Sequence, residues 1–210
     1  MKTAKDYFEQ SISKDPTYAP AYRGLADTYA LLGDWQYAVM PATEALPKAK
    51  AAAIKALQLD SNSGEAHISL AFCLDGFDWN FASADSEFQQ GIKVSPNYAT
   101  GHHWYAWHLS LLGRYGEAIA EMKKAETLDP LSLIINADLA ELLLLAHAYD
   151  ESIEQSSKTI AMDRNFALAH NQLGQVLLQK HRTNEAIAEL QKATQLSGGS
   201  PTCMANLARA

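Results

Sequence analysis

Four columns of residues recur every 34 positions along the second half of this chain. Tyr105, Leu139, Leu173 and Leu207 form one; Leu109, Leu143 and Leu177 a second; Ala118, Ser152 and Ala186 a third; Leu128, Met162 and Leu196 a fourth. A fixed period of this size is the signature of a solenoid, because one such repeat cannot bury its apolar face alone and must stack on its neighbours. The period therefore constrains the chain to an array of supersecondary units rather than a single closed core.

Each unit reads as two helices. In the unit that begins at Ala99, His102, Tyr105, Ala106, Leu109 and Leu112 follow the spacing of an amphipathic helix. Gly113 supplies the left-handed residue that ends it, and Ala118, Met122, Ala125 and Leu128 mark a second stripe before Asp129-Pro130 stops the chain. Ala106 and Ala118 are small where the two helices cross, so the backbones can approach closely. The fold class predicted is all-α, a solenoid of antiparallel helix hairpins.

Composition narrows the function. The formal charge of -7 argues against a nucleic-acid partner, which needs clustered Lys and Arg. Cys73 and Cys203 are the two cysteines and form no Cys-x-x-Cys pair, so neither a disulfide framework nor a thiolate zinc site is expected, and a reducing cytoplasm fits. Met1-Lys2-Thr3-Ala4-Lys5-Asp6 lacks the apolar stretch of a secretory leader. Leu142 to Ala146 is far shorter than the roughly 20 apolar residues of a membrane helix.

The residues quoted for the Ala99 unit, with Tyr22, Leu25, Ala26, Tyr29, Gly33 and Ala38 in one upstream copy and Leu70, Ala71, Leu74, Ala84, Phe88 and Pro96 in another, resemble the tetratricopeptide repeat. The resemblance covers nearly the whole chain and implies that the hairpins stack into a right-handed superhelical solenoid. It divides the array into residues 1–18, the second helix of a truncated repeat; repeats at 19–63, 64–98, 99–132, 133–166 and 167–200; and 201–210, the first helix of another truncated repeat. The incomplete end repeats suggest a fragment of a longer protein, or ends that pair between chains as a homodimer.

Two irregularities interrupt the period. Leu25 to Leu70 is 45 residues, which places an insertion at 37–47; Pro41 and Pro47 there predict a long connection with one helical turn around Ala42 to Ala45 and a helix resuming at Lys48. Leu70 to Tyr105 is 35 residues, one too many, and the extra residue is assigned to the aromatic turn Phe77-Asp78-Trp79-Asn80-Phe81.

The resemblance implies that first helices line a concave groove. Its groove-facing positions map to Arg23 and Asp27, Ile68 and Phe72, His103 and Trp107, Ala137 and Glu141, and Asn171 and Gln175. Phe72, His103 and Trp107 would form an apolar anchor pocket, flanked by Asp138, Glu141, Asn171, Gln172 and Gln175, which can pair the amides of a bound peptide. Trp104 is assigned to the core. Some members of the family clamp a C-terminal carboxylate with Lys, Asn and Arg; this chain departs from them, carrying His103, Trp107, Ala137, Asp138 and Glu141 at the corresponding places.

No catalytic, metal or cofactor site is predicted. His102, His103 and His108 point in different directions around their helix, and His67, His102 and His170 all take the aromatic-like position early in a first helix, which reads as packing. Gly198-Gly199-Ser200-Pro201 is an inter-repeat turn with Pro opening the next helix, not a phosphate loop. Carboxylate pairs such as Asp78 with Asp85, or Asp138 with Glu141, read as solvated.

The function expected is a protein-interaction scaffold that takes a peptide or partner domain in its groove. A small-ligand sensor using the aromatic pocket and a self-association module are the alternatives. The segments Phe88 to Ile92, Asn97 to Thr100 and Asp129 to Ala137 resemble repeat arrays attached to bacterial signalling proteins, which would make this the regulatory part of a cytoplasmic regulator.

Overall fold

The computed structural model describes residues 2–33 and 39–210, apart from the side chains of Lys2 and Thr3. These residues form twelve α-helices and no strand. They fall into two compact units, 1–108 and 109–210, divided within one helix. The first unit holds α1 (Lys2–Lys14), α2 (Ala19–Gly33), α3 (Ala42–Leu59), α4 (Gly64–Gly76), α5 (Phe81–Val94) and most of α6 (Ala99–Leu111). The second holds α7 (Tyr115–Leu128), α8 (Leu133–Leu145), α9 (Tyr149–Met162), α10 (Ala167–Gln179), α11 (Thr183–Leu196) and α12 (Pro201–Ala208).

Sequence neighbours pack on one another from α1 to α5 in the first unit and from α7 to α12 in the second, and alternate helices also touch: α2 with α4, α8 with α10, and α10 with α12. That second set of contacts is what stacks hairpins into a solenoid and leaves the first helices side by side on one face. Close approach depends on small residues. A Cβ on Gly174 would lie 2.5 Å from Leu190 Cγ, so glycine is what lets α10 cross α11 at this distance.

The turns repeat as faithfully as the helices. Trp79, Gly113, His147 and His181 stand 34 apart and share left-handed φ values of 56°, 73°, 61° and 58°. Gly113 adopts this geometry without steric cost, whereas a side chain there costs roughly 1–2 kcal/mol. His181→Gly is expected to raise the unfolding free energy by up to about 1 kcal/mol and Gly113→Val to lower it by about 1–2 kcal/mol. Urea denaturation checks both; destabilisation by His181→Gly, or no loss in Gly113→Val, would show that these turns are not under backbone strain.

The extra residue of the aromatic turn is visible in its hydrogen bonds. Arg114, Ala148 and Arg182 donate their amides to Leu109, Leu143 and Leu177, five residues back, whereas Asn80 donates to Leu74, six back. The wider turn leaves Trp79 73% exposed, its ring edge-on to Phe81 at 6.1 Å.

The insertion takes a different form from the one the prolines suggest. Residues 37 and 38 lie outside the described residues, as does Ala38's place in the first repeat copy. From Ala42 onward, however, α3 is one continuous helix that passes through Pro47. Pro41 stands just before its first turn, where a missing donor costs nothing. Pro47 removes a helical hydrogen bond at a cost of about 3 kcal/mol. That cost is offset by burial of Ala45, Leu46, Ala49, Ala52, Ala53 and Ala56, in a helix that packs on both α2 and α4.

Candidate functional site

The polar residue early in each first helix turns out to be a latch. His67, His102 and His170 each place Nε2 against a carbonyl six residues upstream, in the preceding turn: Ser61 at 3.3 Å, Pro96 at 2.8 Å and Arg164 at 3.0 Å. Asn136 does the same with Nδ2, donating to the Pro130 carbonyl at 3.2 Å. On the other side, His67 Nδ1 meets Glu87 at 2.5 Å, His170 Nδ1 meets Glu189 at 2.6 Å, and Asn136 Oδ1 accepts from Gln155 at 2.9 Å. At His67, Asn136 and His170 the latch ties an inter-repeat turn to the second helix of its own hairpin. Sequence analysis assigns the three histidines to packing; the signal for a bonding role was the same-register column of hydrogen-bonding types at 67, 102, 136 and 170.

In the N-terminal unit the inner positions are largely committed to internal contacts. Arg23 pairs with Glu65 at 3.2 Å, and Ile68 is buried. Asp27 accepts a short hydrogen bond from the Ser69 hydroxyl. Burial pushes its carboxyl up to about 6, opposed by the Ser69 hydrogen bond, by Arg23 and by a hydrogen bond from Tyr98. Trp104 is core, 8% exposed, with the half-buried Phe72 ring at 4.6 Å. His103 and Trp107 are half-buried beside it on α6.

The C-terminal unit has a cleft. It encloses about 270 Å³ and is built from one turn each of three first helices: Leu144 and Leu145 on α8, Gln175, Leu178 and Gln179 on α10, Asn206 on α12. His147 and Tyr149, bonded to each other at 2.7 Å, and Arg209 complete the wall. The side-by-side contacts of α8, α10 and α12 create this opening, and the left-handed backbone at His147 carries an imidazole to its rim. Gln175 is the one residue of the sequence-predicted set that lines it.

The other predicted residues of this unit lie deeper. Asn171 is 3% exposed, and its Oδ1 accepts from Asn206 at 3.0 Å, so α12 covers the side chain that the repeat register assigns to the groove. Asp138 is 1% exposed, so the carboxylate pair it makes with Glu141 is not the solvated one the sequence suggests, because α8 is packed between neighbouring helices. Glu141 is half-buried and accepts from Gln172 Nε2 at 2.7 Å. Its carboxyl is raised by burial and by the nearby Asp138, while the Gln172 hydrogen bond pulls the other way. Sequence reasoning missed the cleft's remaining wall residues, because His147 and Arg209 fall outside the regular groove offsets.

These features define a class: an all-α solenoid of helical hairpins, with a partly apolar cleft where α8, α10 and α12 lie side by side. Sequence models of the tetratricopeptide repeat match residues 7–40, 99–130 and 167–199. The chain is a tetratricopeptide-repeat protein, and the fold is that of a protein-interaction scaffold; such proteins are typically non-enzymatic.

Solved structures agree on the fold. YrrB, described as a TPR protein with an unusual peptide-binding site, is 19% identical with a TM-score of 0.63, covering 96% of this chain and 98% of its own. The Cut9–Hcn1 hetero-tetramer of APC/C is also 19% identical, with a TM-score of 0.80 over 99% of this chain and 39% of the other. Among curated proteins, Transcriptional regulator HilA of Salmonella typhimurium is 27% identical over 130 residues, 62% of this chain and 23% of HilA. The chain thus spans less than a quarter of the length of the curated relatives it matches. No helix among the described residues is long and apolar enough to cross a membrane.

Proposed function

We propose that this chain is the interaction part of a bacterial cytoplasmic regulator and holds an extended segment of a partner protein along the inner face of its first helices. The observation that carries the reading is the cleft across α8, α10 and α12, which combines an aliphatic floor of Leu144, Leu145 and Leu178 with the carboxamides of Gln175, Gln179 and Asn206. Aliphatic side chains of a peptide fill such a floor, and carboxamides satisfy its backbone donors and acceptors at once. In the N-terminal unit, Phe72, His103 and Trp107 would add contacts of the anchoring type. Similarity to HilA supports a place in transcriptional regulation, the output residing elsewhere in the parent protein.

Selection of random 12-residue peptides displayed on phage tests the reading. Peptides enriched on the parent chain are expected to bind Leu131→Asp equally and Leu145→Asp at least tenfold more weakly. Leu145 lines the cleft, whereas Leu131 is 81% exposed in a turn outside it. Failure to enrich any peptide, or equal binding by both variants, would overturn the proposal.

A further inference from the structure

We propose that the segment held in the cleft carries an aspartate or glutamate side chain, which pairs with Arg209 beside the apolar residue that fills the floor. The inference rests on the interaction reading above and names the charge of the partner. It starts from the lining: Arg209 forms part of the wall, and no aspartate or glutamate does. The guanidinium makes no ion pair and no side-chain hydrogen bond among the described residues. Other basic residues of the chain are already answered. Arg23 pairs with Glu65 at 3.2 Å, Lys180 with Asp150 at 2.9 Å and Arg182 with Glu185 at 2.6 Å.

The second observation is a surplus of donors. Gln175 is half-buried and Gln179 exposed, both line the cleft, and neither side chain hydrogen-bonds to another described residue. Each carboxamide can donate or accept, so it serves a peptide backbone in either sense, whereas the guanidinium brings five N–H donors and no acceptor. An anion is what such a fork lacks, and a carboxylate takes two parallel N–H bonds from it. A lysine or arginine of the partner would meet a like charge in this wall and no carboxylate.

Arg209 caps the C-terminus of α12, and the carbonyls of that helix end also attract positive charge. That attraction is weak at an exposed site, and it leaves the paired N–H donors open. The position lies outside the regular groove offsets at which some family members hold a C-terminal carboxylate, and the anion here is a side chain. The net charge of -7 repels an acidic segment at long range, so the carboxylate is held only where an apolar neighbour enters the cleft with it. Floor, carboxamides and guanidinium all border one space of about 270 Å³. Side chains two residues apart in an extended segment leave on the same face, roughly 7 Å apart. The acid and the apolar residue therefore stand within two positions of each other.

The test repeats the phage selection on Arg209→Gln beside the parent chain. Displayed peptides have no free C-terminus, so any carboxylate selected belongs to a side chain. The parent is expected to enrich aspartate or glutamate within two positions of an aliphatic residue, and Arg209→Gln to enrich the aliphatic residue without the acid. The strongest peptide is then synthesised with both ends blocked, together with a version whose acid is replaced by its amide, and both are titrated by fluorescence anisotropy. That replacement should weaken binding to the parent at least threefold and leave binding to Arg209→Gln unchanged, which isolates the pairwise contact. Arg209 is exposed, so the variant should keep the helical circular dichroism of the parent, with Arg209→Ala in reserve if it does not. Peptides enriched on the parent without an acid, or an equal loss on both proteins, would overturn the acidic seat and leave the groove standing. If no peptide enriches on the parent, groove and seat fall together.

Discussion

Phe88→Ala is expected to cost about 3–5 kcal/mol of unfolding free energy, the largest loss from any single truncation proposed for this chain. Phe88 sits on α5 at 1% exposure, with the rings of Tyr105 and His108 at 5.5 and 5.3 Å. Deleting the ring removes its transfer free energy and leaves a cavity whose walls cannot collapse, because each is held from behind. His108 is bonded through Nδ1 to Asp75 at 2.9 Å, and the Tyr105 hydroxyl donates to Asp85 at 3.1 Å. In a stacked array each repeat is stabilised mainly by its neighbours. The loss should therefore appear first in amide exchange of α4, α5 and α6. Urea denaturation gives the total, and a change below about 1 kcal/mol would mean that the site closes around the void.

The second large effect is a dependence on pH. Asp27 holds its proton to about 6 in the folded chain, against an ordinary value of 3.8. Between these values the folded state binds more protons than the unfolded one, so stability is fully present below about pH 4 and is lost as pH rises through 6. The shift corresponds to about 3 kcal/mol for a carboxyl this deeply buried. Asp27→Asn removes the titrating group and keeps an oxygen for the Ser69 hydroxyl. The variant should match the parent near pH 4 and exceed it in stability at pH 7.5. Paired urea titrations at the two pH values measure the difference. A gap that stays constant with pH would show that Asp27 titrates normally.

Both predictions concern residues whose burial follows from repeat register but whose partners do not. Phe88 is legible in sequence as the large apolar residue of a second helix, since its column places it on the packed face. Asp27 sits at a position that the same register assigns to the groove, yet the structure closes Ser69 and Tyr98 over it. The site shows the same split. Gln175 lines the cleft at its assigned offset, whereas Asn171, four residues earlier on the same helical face, is covered by α12. Offset within a helix says which way a side chain leaves its own axis, but whether it reaches water depends on the neighbouring helix.

Sequence alone determined the all-α architecture, the hairpin unit, the left-handed turn at Gly113, the widened aromatic turn and the tetratricopeptide family. All of these are local or periodic: they depend on a 3.6-residue helical stripe, on backbone preferences at one position, and on repetition that makes each weak signal recur. Tertiary structure decided the rest. It kept α3 intact through Pro47, because burial against two neighbouring helices outweighs one lost hydrogen bond. It turned His67, His102, Asn136 and His170 into latches by bringing carbonyls of the preceding turns within reach. It also opened the cleft among α8, α10 and α12 and enclosed Gln172 beside Glu141. These outcomes depend on distances between helices, which are set by the summed packing of whole repeats and are written in no single residue or spacing.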